Sequence, residues 1–262
     1  MSIVRANGLD FDIIDAGAGD PAFVLIHGLS CDASAWAPQV EDLSRDHRCV
    51  AISLRGRGHT PALPPFDVEQ QADDVAAVLD ALGVASAIVA GHSLGGLVAL
   101  FLNARRPDLV RALVIGDSPV SPRGLNGEAL VAGIREAGSS KPLEPLVESF
   151  WADDTTPALR EQVRAMMLGC PPDVTAGMLS LSVSGERLAE LVSLADKKPF
   201  MAIWAARPLG DPAWLRDRTA FVRQEPVAGA GHFFQLEKPA VTNALLRAFL
   251  DDVERDPRVS SE

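Results

Sequence analysis

Apolar and polar positions along this chain alternate in two different periods. Short apolar runs at Ala22 to Ile26, Cys49 to Leu54, Ala87 to Ala90 and Ala112 to Ile115 read as buried strands. Amphipathic stretches separate them. Val68 to Leu82 places Val75, Val78, Leu79 and Leu82 on one face, and Ser93 to Arg105 is rich in good helix formers. Strand and helix in alternation predict a mostly parallel sheet with right-handed crossovers. Ile3 to Ala6 and Phe11 to Ile14 flank Asn7-Gly8, a hairpin-turn pair, so the sheet is expected to begin antiparallel.

After Asp117 the rhythm changes. Residues 119–198 show helical periodicity without evident strands, with one apolar face at Leu143, Leu146, Val147 and Phe150 and another at Leu188, Leu191 and Leu194. Strands return at Phe200 to Ala205 and near Phe221 to Val227, and Pro239 to Val253 reads as a closing helix. The expected organisation is one core built from residues 1–118 and 199–262, with the helical stretch 119–198 inserted. The last residues, DPRVSSE, read as a frayed polar tail.

Composition narrows the function classes. At 262 residues and 47% hydrophobic content, the chain can bury about three quarters of its unfolded surface around one core. With 35 acidic against 24 basic residues the formal charge is -11, so attraction to nucleic acid or to an anionic membrane is not expected. No apolar run approaches the roughly 18 residues of a membrane span. The opening residues, MSIVRANGLDFDIID, mix charges into apolar positions and show no secretory signal. Cys31, Cys49 and Cys170 are an odd set without paired spacing, which suits a reducing, cytoplasmic compartment. The histidines are scattered, so no metal site is implied.

Three segments carry chemistry. Gly91-His92-Ser93-Leu94-Gly95 follows a predicted strand and precedes a predicted helix, the context a G-x-S-x-G nucleophile turn needs. The sharp turn strains the serine backbone, and the flanking glycines remove side chains that would clash. Ile26-His27-Gly28-Leu29 ends an early parallel strand and so lies on the same carboxyl edge of the sheet. Gly229-Ala230-Gly231-His232-Phe233 forms a glycine-rich loop before the last helix. A serine hydroxyl needs a neighbouring imidazole to take its proton, and His232 is the histidine placed to do so. His92 lies inside the turn, while His47 and His59 lie in polar loops and read as structural or solvated.

Together these segments resemble the capped α/β-hydrolase superfamily across essentially the whole chain. The resemblance implies an eight-stranded, mostly parallel, twisted sheet with helices on both faces and an inserted helical cap. It implies Ser93 as nucleophile, His232 as base, and an oxyanion hole of the Leu94 and Leu29 N–H groups, with no cofactor. Phe150, Trp151, Met166, Met167 and Met178 in the cap, and Trp36 near the oxyanion segment, are candidates for the pocket lining or for plain core. Cys31 reads as packing. Arg55-Gly56-Arg57-Gly58-His59 resembles the family's glycine-rich loop and lacks the dinucleotide fingerprint.

The triad acid departs from the commonest family pattern, W-G-x-x-D. Here the run is Trp204-Ala205-Ala206-Arg207-Pro208, with Pro208 at the acid position. Another branch of the superfamily draws its acid from the strand after the nucleophile helix, so Asp117 is the expected acid and Asp211 the alternative. Asp117 ends the strand after the nucleophile helix, and Asp211 precedes Pro212, where it also suits a helix cap. The expected activity is hydrolysis of a small, mainly apolar ester or lactone by a monomer or homodimer. The alternatives are C–C hydrolysis of a ring-fission product, cofactor-free dioxygenation and a non-enzymatic ligand receptor, which fold analogy does not separate.

Overall fold

The computed structural model describes residues 2–180 and 182–257. The polar tail beyond residue 257 lies outside them. Strand β1 (Ser2–Ala6) turns through Asn7, at φ +43°, into β2 (Leu9–Ala16), and the two pair antiparallel as the Asn7-Gly8 turn predicts. Then follow β3 (Ala22–Ile26), α1 (Ala37–Leu43), β4 (Cys49–Ile52), α2 (Val68–Ala81), β5 (Ala87–His92), α3 (Leu94–Arg105) and β6 (Val110–Gly116). The sheet order is β1-β2-β4-β3-β5-β6-β9-β10, closed by β9 (Phe200–Trp204) and β10 (Arg223–Pro226). From β4 onward neighbouring strands run parallel. β4 and β5 leave β3 on opposite sides, which makes the carboxyl ends of β3 and β5 the topological switch point, where α/β sheets bind ligands.

The strand pleat sorts the core into two layers. Along β3, Ala22, Val24 and Ile26 face a cluster with Val75, Leu79 and Leu97, while Phe23 and Leu25 face one with Leu43, Leu246 and Phe249. Helices α2 and α3 thus cover one face of the sheet, and α1 and α11 (Pro239–Arg255) cover the other.

Between β6 and β9 the chain forms β7 (Leu125–Asn126), α4 (Glu128–Ala137), α5 (Glu144–Glu148), α6 (Pro157–Leu168), α7 (Pro172–Leu179), β8 (Ser182–Val183) and α8 (Gly185–Ala195). The expectation of a strandless insertion is corrected here. β7 and β8 pair antiparallel, too short for any period-two pattern to show in the sequence. Past β9, α9 (Pro212–Arg216) precedes β10, and α10 (Phe234–Glu237) precedes α11. Among the described residues no helix is long and apolar enough to cross a membrane.

Candidate active site

Ser93 sits between β5 and α3 with φ +53° and ψ -121°, a conformation rare for a residue with a side chain. Its N–H donates to Gly116 O at 2.7 Å, and its hydroxyl makes no capping bond to α3, so the residue is held by its backbone and not as a helix cap. The flanking glycines are steric necessities. A Cβ on Gly91 would run into Gly95 O, and one on Gly95 into the carbonyls of Ile26 and His27. The turn therefore presses directly on the end of β3.

That strand end is fixed by the buried His27. Its Nδ1–H donates to Gly28 O at 2.8 Å, and its Nε2 accepts from Leu54 N–H at 3.0 Å. Burial lowers its pKa to about 4, which keeps the ring neutral and preserves this pair of bonds. Gly28 then passes so close to Ser93 that a Cβ there would lie 3.0 Å from Ser93 Cβ. Leu29 and Leu94 both line the cavity above Ser93. Among the described residues, neither backbone N–H finds a protein acceptor.

His232 reaches the same cavity from the loop before α10. Four contacts hold it. Its Nδ1 lies 2.7 Å from Asp117 Oδ2, its N–H donates to Phe150 O at 2.7 Å, and the Phe150 ring stacks on the imidazole at 4.2 Å. His92 Nε2–H donates to His232 O at 2.8 Å. Burial drives the pKa of His92 well below its ordinary value, with the neighbouring His232 adding to the effect, so His92 serves as a neutral donor. The carboxylate of Asp117 only accepts, so Nδ1 of His232 donates to it, and the acceptor of the neutral ring is Nε2. No hydrogen bond joins Ser93 to His232 among the described residues, though both line the same cavity.

The structure brings Asp117 to His232 and leaves Asp211 elsewhere. Asp117 is 1% exposed, at φ +40°, and its Oδ1 accepts from Leu209 N–H at 3.1 Å and Ala205 N–H at 3.4 Å. The alternative acid Asp211 caps α9, accepting from Trp214 N–H at 2.9 Å, as the Pro212 that follows it suggests. Glu237, which sequence reasoning missed, steadies the histidine loop: its Oε2 accepts from Gly231 N–H at 2.9 Å and Thr155 Oγ1–H at 2.8 Å. Its place six residues past Gly231 was the available signal.

The cavity measures about 410 Å³, within the range of small-molecule sites. Its lining includes Leu29, Cys31, Leu94, Leu130, Leu146, Phe150, Met167, Leu179 and Phe233 and, among the described residues, no Asp, Glu, Lys or Arg. Of the candidate lining residues, Phe150 and Met167 are there. Trp36, Met178, Trp151 and Met166 are not. Trp36 packs with Leu25 and Leu43 under the other face of the sheet, and Met178 is core. Trp151 packs against Phe233 at 5.9 Å, and Met166 lies one position round α6 from Met167, off the cavity. Cys31 does line the cavity, and its thiol is raised far above the usual range by burial. Among the described residues no group of three or more His, Cys, Asp or Glu could hold a metal ion.

Comparisons with known proteins agree with this architecture. A relative from Pseudomonas putida, the dihydrolipoyllysine-residue acetyltransferase component of an acetoin cleaving system, is 27% identical over 89% of this chain; the chain spans 64% of that relative's length. Esterase YbfF of Escherichia coli (strain K12) is 27% identical over 87% of this chain and 92% of its own. Among solved structures, an enol-lactonase from Burkholderia xenovorans LB400 superimposes with a TM-score of 0.84 at 23% identity, covering 95% of this chain and 100% of that one. A model of the alpha/beta hydrolase fold matches residues 21–164, more than half of the sequence and the part that carries β3, the Ser93 turn and Asp117, and the chain belongs to that family.

Proposed function

We propose that this hydrolase cleaves small, mainly apolar carboxylic esters or lactones through an acyl-enzyme on Ser93. The observation that carries the reading is the 2.7 Å contact between His232 and Asp117 at a cavity that also holds the strained Ser93. His232 Nε2 takes the Ser93 proton as Oγ attacks the carbonyl carbon. The Leu29 and Leu94 N–H groups receive the developing oxyanion, each worth about 3 kcal/mol in the transition state. His232 then protonates the departing alkoxide and the alcohol leaves; the imidazole next takes a proton from a water whose oxygen attacks the acyl carbon, and returns it to Ser93 Oγ as the acyl–Oγ bond breaks and the acid departs. Asp117 stays ionised, holding the ring and stabilising the imidazolium. The helices of residues 119–198 act as the cap, since Leu130, Leu146, Phe150, Met167 and Leu179 close the cavity over Ser93.

The uncharged lining favours neutral substrates. A ring-fission product carrying a carboxylate would enter without a cationic partner, a costly desolvation, and this weighs against C–C hydrolysis. The free cysteines support a reducing, cytoplasmic setting. The test is a panel of nitrophenyl esters, lactones and ring-fission products, with oxygen uptake on a hydroxyquinolone as a further arm. Wild type should turn over esters or lactones, and Ser93→Ala should lose at least about 10³-fold. Undiminished activity in Ser93→Ala overturns the serine mechanism.

A further inference from the structure

The segment that carries the Leu29 N–H is joined to the helical insertion by a line of buried hydroxyls that the catalytic steps leave unused. Ser30 is fully buried with a left-handed backbone, φ +57°, in a turn closed by Cys31 N–H on Gly28 O at 3.2 Å. Its Oγ lies 3.0 Å from Thr175 Oγ1 on α7, which lies 2.8 Å from Ser140 Oγ. Ser140 in turn donates to Cys170 O at 2.7 Å. Proton counting sets the direction. Each hydroxyl has one proton, and the Cys170 carbonyl can only accept, so Ser140 spends its proton there. Thr175 must then donate to Ser140, and Ser30 to Thr175.

A second link runs alongside. Arg57 Nε–H donates to Cys31 O at 2.8 Å and Nη2–H to Met166 O at 3.0 Å, so two successive residues after Leu29 are tied to the insertion. Gly56 lets the core loop approach α7 closely, for a Cβ there would lie 2.6 Å from Val174 Cγ2. The two prospective oxyanion donors thus differ in support. Leu94 is set by the turn from β5 into α3, whereas Leu29 precedes a strained residue whose side chain is anchored to α7, the helix that also places Leu179 in the cavity.

We propose that Ser30 and Thr175 are positioning residues, through which the insertion sets the Leu29 N–H for the oxyanion. The proposal rests on the hydrolase reading above. Removing one hydroxyl leaves a buried oxygen unpaired and frees the turn, which weakens transition-state binding more than substrate binding.

The test compares wild type, Thr175→Val and Thr175→Ser on p-nitrophenyl butyrate, with inhibition by a butyl trifluoromethyl ketone, whose hemiketal oxyanion occupies the hole, and with Tm. Thr175→Val should lower kcat by about 10-fold to 100-fold with little change in KM, and raise the ketone Ki by the same factor. Thr175→Ser should restore both. Should Thr175→Val fail to fold, Ser30→Ala carries the same expectation. A folded variant with unchanged kcat and Ki overturns the proposal, as does a Thr175→Ser that behaves like Thr175→Val. Failure of the hydrolase reading shows differently, as a Ser93→Ala enzyme that keeps the wild-type rate.

Discussion

His232 Nδ1 meets Asp117 Oδ2 at 2.7 Å although the two residues stand 115 positions apart, and both side chains are almost wholly buried. Asp117→Asn keeps the shape but offers an amide where the ring needs an acceptor. It should lower kcat by on the order of 10⁴, as loss of an orienting carboxylate does elsewhere. Asp211→Asn, which still caps α9, should stay near the wild-type rate. Steady-state kinetics on one ester, with circular dichroism confirming both folds, decides it; the reverse ranking would move the acid to Asp211.

Gly95→Ala places a Cβ against the carbonyls of Ile26 and His27, backbone at the end of a central strand that has nowhere to go. Destabilisation of at least about 1–3 kcal/mol is expected, with loss of activity. Gly83, at φ +65° with open space around it, is the control: Gly83→Ala should cost about 1 kcal/mol from backbone strain and leave activity intact. Urea midpoints of the two variants provide the comparison, and equal shifts would contradict it.

Stability should fall between pH 6.5 and about 4 because of His27. Above pH 6.5 the ring is neutral in folded and unfolded chains alike; below it only the unfolded chain takes up the proton, until about pH 4. The loss over that window is about 3 kcal/mol, and the burial of His92 acts in the same direction. Carboxylates such as Asp80 and Asp108, lowered by Arg106, have ordinary values of 3.8 and contribute only below this window. Urea unfolding at about pH 7.5 and about pH 4.5 measures it, and a flat midpoint would refute the assignment.

Phe150→Ala removes both the ring stacked on His232 and part of the cavity wall. The variant should lose about 3–5 kcal/mol of stability, turn over short esters more slowly, and shift its preference toward longer acyl chains. A chain-length series of nitrophenyl esters, run beside thermal unfolding, tests this; an unchanged preference would place Phe150 outside the substrate's path.

Much of the fold and the placing of Ser93 and Asp117 could be read from local pattern, because β3, β5 and the 112–116 part of β6 are short, wholly buried strands and the two residues follow the ends of β5 and β6, while His232 was marked by the glycines of the loop after β10. The cavity lining could not. Met166 and Met167 are adjacent on α6, and only the rotation of that helix against its neighbours sends one to the cavity and not the other. Trp36 follows the Leu29 segment closely in sequence, yet a turn of 3₁₀-helix carries it to the opposite face of the sheet. The Glu237 and Thr175 contacts depend on partners 82 and 145 residues away, which no single-sequence period encodes.

Among the described residues, four other than glycine take positive φ: Asn7 in its hairpin, and Ser30, Ser93 and Asp117 around the cavity. Each of the latter three stores roughly 1–3 kcal/mol that a glycine would release. The molecule therefore carries a built-in conflict between endurance and chemistry. Variants chosen only for surviving heat would drift to glycine at Ser93 and come out sturdier and inert, whereas Ser30 and Asp117 would be kept by the buried hydrogen bonds of their side chains.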